Sequence, residues 1–173
     1  MKPTICLLTG VMASGKSTVA ELLAAKLEKA VHLRGDLFRR MIVSGRADMS
    51  AQPSDEALRQ LHLRYRLTAE AAKTYYDGGF SVVVQDNYYG AELTRMLERL
   101  QGYPVQTVVL CPDAETVKKR ESARGKTGYT GFSVEDLHAA FLKETPRIGF
   151  WLDNSKQTPE QSAEAILLQL AAV

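Results

Sequence analysis

Gly10, Gly15, Lys16 and Ser17 stand in the spacing G-x-x-x-x-G-K-[ST], filled here by Gly10-Val11-Met12-Ala13-Ser14-Gly15-Lys16-Ser17-Thr18. The chemistry of that pattern is the cradling of phosphate groups. Glycines at its two ends let the backbone take positive φ and approach a ligand closely. Successive N–H groups then turn inward, above the positive end of the helix that follows. Lys16 is placed to bridge the β- and γ-phosphates of a nucleotide as a point charge, and the Ser17 hydroxyl to ligate Mg²⁺. A glycine-rich turn before an ordinary helix is the bland reading of the same residues. The apolar run Ile5-Cys6-Leu7-Leu8 ahead of the loop reads as a buried strand, and Val19, Leu22, Leu23 and Leu27 after it share one helical face. Strand, glycine loop and helix together favour the phosphate loop.

Three further groups carry charge at the ends of apolar runs. Asp36 follows Val31-His32-Leu33 and has two readings, an N-cap of the next helix and a general base that takes a proton from a substrate hydroxyl. Arg39, three residues on, shares its helix face, where it pairs with Asp36, holds substrate or is solvated. Asp86 closes Ser81-Val82-Val83-Val84-Gln85, the position of the second acidic residue of phosphate-loop enzymes. It holds Mg²⁺ through water, orients a substrate-side arginine, or caps a turn. Arg120 and Arg124 form an i, i+4 pair at a helix end, where the dipole alone explains cations. The segment after them contains Gly125, Gly128 and Gly131, reads as a mobile lid, and gives both arginines a place near a transferring phosphate.

Other candidates are weaker. Tyr88 and Tyr89 are read as a substrate-stacking pair or as core aromatics. Arg59, Arg64, Arg66 and Lys73 read as a solvated helix face rather than a basic patch. His32, His62 and His138 lack metal-ligand spacing and take structural roles.

The elements that position these groups alternate. After the first strand and helix, strand two ends at Arg34-Gly35-Asp36, and a short helix runs from Leu37 to about Val43. A long helix capped by Ser54 runs to Tyr76, and strand three spans 81–85. A helix from about Ala91 to Leu100, a strand from Val105 to Cys111, and a helix capped by Asp113 running to about Ala123 come next. A helix starting near Ser133, a short strand at 149–153, and a C-terminal helix behind the capping box Thr158-Pro159-Glu160-Gln161 complete the order. Strand–helix alternation predicts a three-layer α/β/α fold with a parallel sheet. In such a sheet ligands sit outside the carboxyl ends of the strands, so the loop, Asp36 and Asp86 converge on one rim.

Bulk properties narrow the function. The 173 residues are read as one domain, 1–173, with a lid at about 120–133. Lys and Arg number 22 against 20 Asp and Glu, a formal net charge of +2 that sets up no strong polyanion field. Cys6 and Cys111 lie in apolar runs and suggest buried thiols in a reducing compartment. No stretch is apolar enough to span a membrane and no signal peptide precedes the first strand, so a cytoplasmic protein is expected.

The motifs resemble those of small P-loop kinases, the group holding polynucleotide 5′-hydroxyl kinases and chloramphenicol phosphotransferases. The resemblance rests on Gly10 to Thr18, Asp36-Leu37-Phe38-Arg39, Val82 to Asp86 and Arg120-Glu121-Ser122-Ala123-Arg124-Gly125. It implies the P-loop NTPase kinase fold, ATP and Mg²⁺ as cofactors, and nucleotide contacts from Gly10, Val11, Met12, Ala13, Ser14, Gly15, Lys16, Ser17, Thr18, Arg120 and Arg124. Asp36 is then the general base, Arg39 the acceptor or transition-state contact, and Asp86 the support of that arginine. Asp153-Asn154-Ser155 is similar to the adenine-side loop of the group, and Lys126 to Phe132 is an insertion in the lid. Catalytic work falls to Asp36, Lys16, Arg39, Arg120 and Arg124, substrate contact to Asp36, Arg39, Asp86 and Tyr88, and metal to Ser17 and Asp86. The reading is a phosphotransferase moving the γ-phosphate of ATP to a hydroxyl of a small molecule, an antibiotic or a metabolite. A polynucleotide 5′-hydroxyl kinase is the alternative, and a nucleotide-dependent regulatory ATPase the second. A guanine-reading switch needs Asn-Lys-x-Asp, which Asn154-Ser155-Lys156-Gln157 does not supply.

Overall fold

Strand β1 (Ile5–Gly10) lies at the centre of a five-stranded sheet in the computed structural model, which describes residues 2–125 and 133–172. Its apolar run has no polar alternation because both faces are covered: Ile5, Cys6, Leu7 and Leu8 are each at most 1% exposed. The other strands are β2 (Ala30–Arg34), β3 (Ser81–Gln85), β4 (Val105–Leu110) and β5 (Phe150–Leu152), in the order β2-β3-β1-β4-β5. All pairings are parallel; Ile5 faces Val82 on one side and Val105 on the other.

Helices α1 (Lys16–Lys26), α2 (Asp36–Arg40), α3 (Asp55–Asp77), α4 (Ala91–Arg99), α5 (Ala114–Ala123), α6 (Val134–Glu144) and α7 (Pro159–Ala171) fill the connections. The alternation along β1 sorts them into two outer layers. Cys6 and Leu8 join Val19 and Leu23 of α1 and Ile166 and Leu170 of α7. Ile5 and Leu7 join Tyr65, Ala69 and Ala72 of α3 and Leu93 and Met96 of α4. Each fully buried leucine or isoleucine contributes about 1.5–3 kcal/mol relative to exposure. The three-layer parallel fold is the one the sequence predicts.

The caps follow the expected chemistry. Ser54, Asp113 and Ser133 each accept a backbone N–H three residues on, and Thr158 with Gln161 closes a reciprocal capping box. One cap differs. Asp36 is the first residue of α2 instead of its N-cap; Gly35 holds that position without a side-chain bond, and the Asp36 carboxylate is drawn to arginines instead. Helix α2 is also shorter than expected, ending at Arg40 with Met41 as its cap. Cys6 is buried as expected, whereas Cys111 is only half-buried, just past the end of β4. Among the described residues no helix is long and apolar enough to cross a membrane.

Candidate active site

The phosphate loop forms where β1 hands over to α1. Ala13 (φ 61) and Gly15 (φ 90) both take left-handed backbone, the conformation that aims consecutive N–H groups into one concavity. Glycine tolerates this freely, while at Ala13 the left-handed region carries a strain of roughly 1–2 kcal/mol. Lys16 Nζ donates to the carbonyl oxygens of Gly10 (2.8 Å) and Val11 (2.7 Å) and to Ser14 Oγ (3.4 Å). Burial lowers the Lys16 ammonium to about 7, with Asp86 pulling it up and Arg124 pushing it further down. Arg124 lies 3.6 Å from Glu121 on the same helix end.

Arg120 reaches the loop from α5. Its Nη1 donates to the Ser14 carbonyl (3.1 Å) and its Nη2 to the Asn154 carbonyl (2.9 Å). Asn154, 3% exposed, donates its own Nδ2 to the same Ser14 carbonyl at 3.0 Å. The loop, α5 and the segment after β5 are thus tied at one backbone oxygen. Residues 126–132, part of the lid expected at about 120–133, lie outside the described residues.

On the other side of the rim, carboxylates and guanidiniums interlock. Asp36 Oδ1 accepts from Arg39 Nε (2.9 Å) and lies 3.5 Å from Arg64 Nη1, while Oδ2 accepts from Arg40 Nε (2.9 Å). Partial burial pushes the Asp36 carboxyl up, but the Arg39 hydrogen bond and the charges of Arg39 and Arg64 outweigh it, and the net shift is downward. Arg39 also donates to Asp48 Oδ1 at 2.7 Å.

Asp86 meets a different arginine from the one expected. Both of its oxygens face Arg64, Nε to Oδ2 at 2.9 Å and Nη2 to Oδ1 at 2.6 Å, and Asn87 N–H donates to Oδ1 at 2.8 Å. The arginine that Asp86 supports is Arg64, not Arg39. Burial raises the Asp86 carboxyl above its ordinary range, against the pull of Arg64. Gly35 makes room for this fork: a Cβ there would stand 2.2 Å from Asp86 Oδ2.

Arg64 corrects the solvated-face reading of α3, since its side chain is only 10% exposed. Arg59 and Lys73, paired with Glu56 and Glu70 on the surface, do fit that reading. The signal was in the sequence: Ala57, Leu61, Arg64, Thr68 and Ala72 fall on one inward stripe at helical spacing, and an arginine in such a stripe needs a buried partner. Tyr88 is a second correction. It is fully buried, packed on Tyr65 with ring centroids 4.9 Å apart, and is a core residue rather than a substrate contact. Tyr89, by contrast, is 39% exposed on the rim. The histidines bond to Glu21, Glu92 and the Pro112 carbonyl, consistent with structural roles.

The donor set suits a phosphate chain better than a caged metal. The Ser17 hydroxyl in the first turn of α1 donates to Oε1 of Gln85, the last residue of β3, at 3.3 Å, which brings two neutral oxygens together. Among the described residues no three His, Cys, Asp or Glu side chains form a metal cluster. Mg²⁺ held mostly by phosphates and water, with one or two protein oxygens, fits that arrangement.

A family model described as an AAA domain matches residues 5–145. The chain belongs to the AAA domain family. Solved structures share the fold of this AAA domain over nearly its whole length. A sugar kinase from a Janibacter species is 23% identical, with TM-score 0.71, covering 98% of this chain and 95% of its own. The tunicamycin resistance protein of Deinococcus radiodurans is 18% identical, with TM-score 0.76, covering 98% and 96%. The APS kinase of Mycobacterium tuberculosis, solved with AMPPNP and APS, is 18% identical, with TM-score 0.75, covering 98% of each chain. No curated protein sequence matches the chain. The fold is that of the P-loop kinases.

Proposed function

We propose that this AAA domain is an ATP- and Mg²⁺-dependent phosphotransferase that moves the γ-phosphate to a hydroxyl of a small molecule. The observation that carries the reading is Asp36, a carboxylate held by Arg39, Arg40 and Arg64 on the rim that also bears the phosphate loop. A nucleotide switch has no use for such a group, while a hydroxyl acceptor needs a base beside a charge-neutralising arginine.

In this scheme the loop N–H groups and Lys16 hold the β- and γ-phosphates, and Lys16 exchanges its carbonyl partners for phosphate oxygens. Ser17 would supply the protein oxygen for Mg²⁺ bound with the nucleotide, and the ion would supply neutralisation of phosphate charge. Asp36 takes the hydroxyl proton, the hydroxyl oxygen bonds to the γ-phosphorus, and the bond from that phosphorus to the ADP oxygen breaks. The products are a phosphate monoester, ADP and the proton left on Asp36. Arg39 and Arg64 face the incoming oxygen side, and Arg120 and Arg124 the donor side.

A small acceptor is favoured over a nucleic-acid 5′ end because the rim cations are already paired. Arg39, Arg40, Arg59 and Arg64 each bond a carboxylate, which leaves little unpaired charge for a polyphosphate backbone. A screen of hydroxyl compounds and 5′-hydroxyl oligonucleotides for acceptor-dependent ADP release tests the reading. ATP turnover indifferent to every acceptor would favour the regulatory ATPase instead.

A further inference from the structure

A cavity of about 150 Å³ opens between the phosphate loop, the exit of β3 and helix α6, outside the charged cluster around Asp36. Val11 and Met12 form its loop wall, Tyr89 and Gly90 its strand-exit wall, and Leu137, Ala140 and Phe141 its α6 wall. The rings of Tyr89 and Phe141 meet edge to face, with centroids 5.4 Å apart. Thr145 Oγ1, on this lining, accepts from Gly90 N–H at 3.1 Å. Glu144 is the carboxylate among the lining residues, and it is exposed at the rim.

The place of this cavity matters as much as its lining. Val11 supplies the carbonyl that Lys16 Nζ contacts at 2.7 Å, so the cavity begins where the γ-phosphate end of the loop is built. Tyr89 lies three residues beyond Asp86, on the same exit of β3. Val11 sets the cavity against the phosphate loop, and Tyr89 sets it against the exit of β3, three residues past the Asp86 that Arg64 links to Asp36. About 150 Å³ is the size of a dry, apolar-lined cavity known to take a single benzene ring.

Resting on the kinase reading above, we propose that this cavity seats the acceptor, and that the acceptor is an uncharged alcohol carried on one aromatic ring. The ring packs in the cavity against Tyr89, Phe141 and Met12, and its hydroxyl arm points out to Asp36 and the γ-phosphate. Polyols gain nothing from an apolar lining and lose their hydration there. Acidic acceptors meet the Glu144 carboxylate. The transfer itself is unchanged: the alcohol oxygen bonds to phosphorus, ADP departs and Asp36 keeps the proton.

The test uses the full chain, AMPPNP and three probes: 4-fluorobenzyl alcohol, 4-(hydroxymethyl)benzoate and glycerol. Binding is read by ¹⁹F relaxation of the fluorinated alcohol and by fluorescence of Trp151, whose ring centroid lies 5.8 Å from that of Phe141. The expected result is saturable binding of 4-fluorobenzyl alcohol, no competition by glycerol, weaker competition by the benzoate, and acceptor-dependent ADP release from ATP. Ala140→Leu fills the cavity and is expected to lower kcat/KM for the aryl alcohol at least about tenfold, the scale of a few buried methylenes, with AMPPNP affinity retained. Tyr89→Ala enlarges it and is expected to admit 2-naphthylmethanol, a reversal that a folding defect does not produce. AMPPNP binding without aryl-alcohol binding overturns the inference and leaves the kinase reading standing. Equal turnover of glycerol by the native chain and Ala140→Leu overturns it as well. Loss of AMPPNP binding by the native chain instead defeats the kinase reading itself.

Discussion

Arg64 and Asp86 meet through two parallel hydrogen bonds, 2.9 and 2.6 Å long, with side chains 10% and 3% exposed. The pair ties α3 to the end of β3, and through Nη1 of the same guanidinium it reaches Asp36 at 3.5 Å. Removing one partner leaves the other charge buried. Arg64→Ala is therefore expected to lower unfolding stability by about 3–5 kcal/mol in a urea titration. Arg64→Lys keeps the charge and loses the fork, and should fall between. A change within experimental error for Arg64→Ala would show that the fork does not hold the native state.

Asp36→Asn keeps shape and removes the proton acceptor. Acceptor-dependent ADP release is predicted to fall by about 10²–10⁴-fold, the usual contribution of general acid–base catalysis, while AMPPNP affinity is unchanged. Full activity in this variant, with a confirmed acceptor, would remove Asp36 from the mechanism.

The arginines around Asp36 set its titration. Burial opposes them and loses, so the folded carboxyl titrates below its ordinary value of about 3.9. A depressed carboxylate stabilises the fold above its unfolded pKa, and that contribution is lost as pH falls through the folded value. No acid limb from Asp36 in the free enzyme is then expected in kcat/KM above about pH 5. Carboxyl ¹³C titration checks this directly, and Arg40→Ala should move the midpoint upward. A midpoint above the ordinary value in the native chain would contradict the cluster.

Gly35 has a helical φ of −58°, which any residue accepts, so its need for glycine is one of space alone. A Cβ would stand 2.2 Å from Asp86 Oδ2 and 3.0 Å from Thr68 Oγ1. Gly35→Ala is predicted to cost about 1–3 kcal/mol by overpacking and to lower turnover by displacing the fork. Thermal melts together with kcat would show whether the two effects move together.

Tyr88 presents the opposite case. Its hydroxyl is buried without a hydrogen-bond partner among the described residues. Tyr88→Phe removes an unsatisfied polar atom and keeps the ring against Tyr65, so stability is predicted to hold or rise by up to about 1–3 kcal/mol. A marked loss in chemical denaturation would reveal a partner for that oxygen.

The fold was legible because its signals are local. Apolar strand runs, Ser54, Asp113 and Thr158 caps, and the phosphate loop each declare themselves within a few residues. The acceptor side was less so, because its geometry depends on residues far apart in the chain. Arg64 is 22 residues from Asp86 and 28 from Asp36, and only packing of α3 decides which aspartate it takes. Tyr88 and Tyr89 are adjacent, yet one enters the core and the other lines the rim, a division that follows from the strand exit and not from residue type. Arg64 nonetheless broke the pattern of its helix stripe, and that irregularity was readable.

The ring of guanidiniums about Asp36 has a consequence for ATP economy. A carboxylate engaged by Arg39, Arg40 and Arg64 is a weakened base, poorly suited to activating a stray water molecule. Arg40 is the most exposed of the three, at 60%, and the easiest to displace. On the proposed chemistry, an acceptor that takes the place of Arg40 restores basicity to Asp36 at the moment its hydroxyl arrives. Idle hydrolysis is then suppressed by the resting ion pairs themselves, without any moving gate.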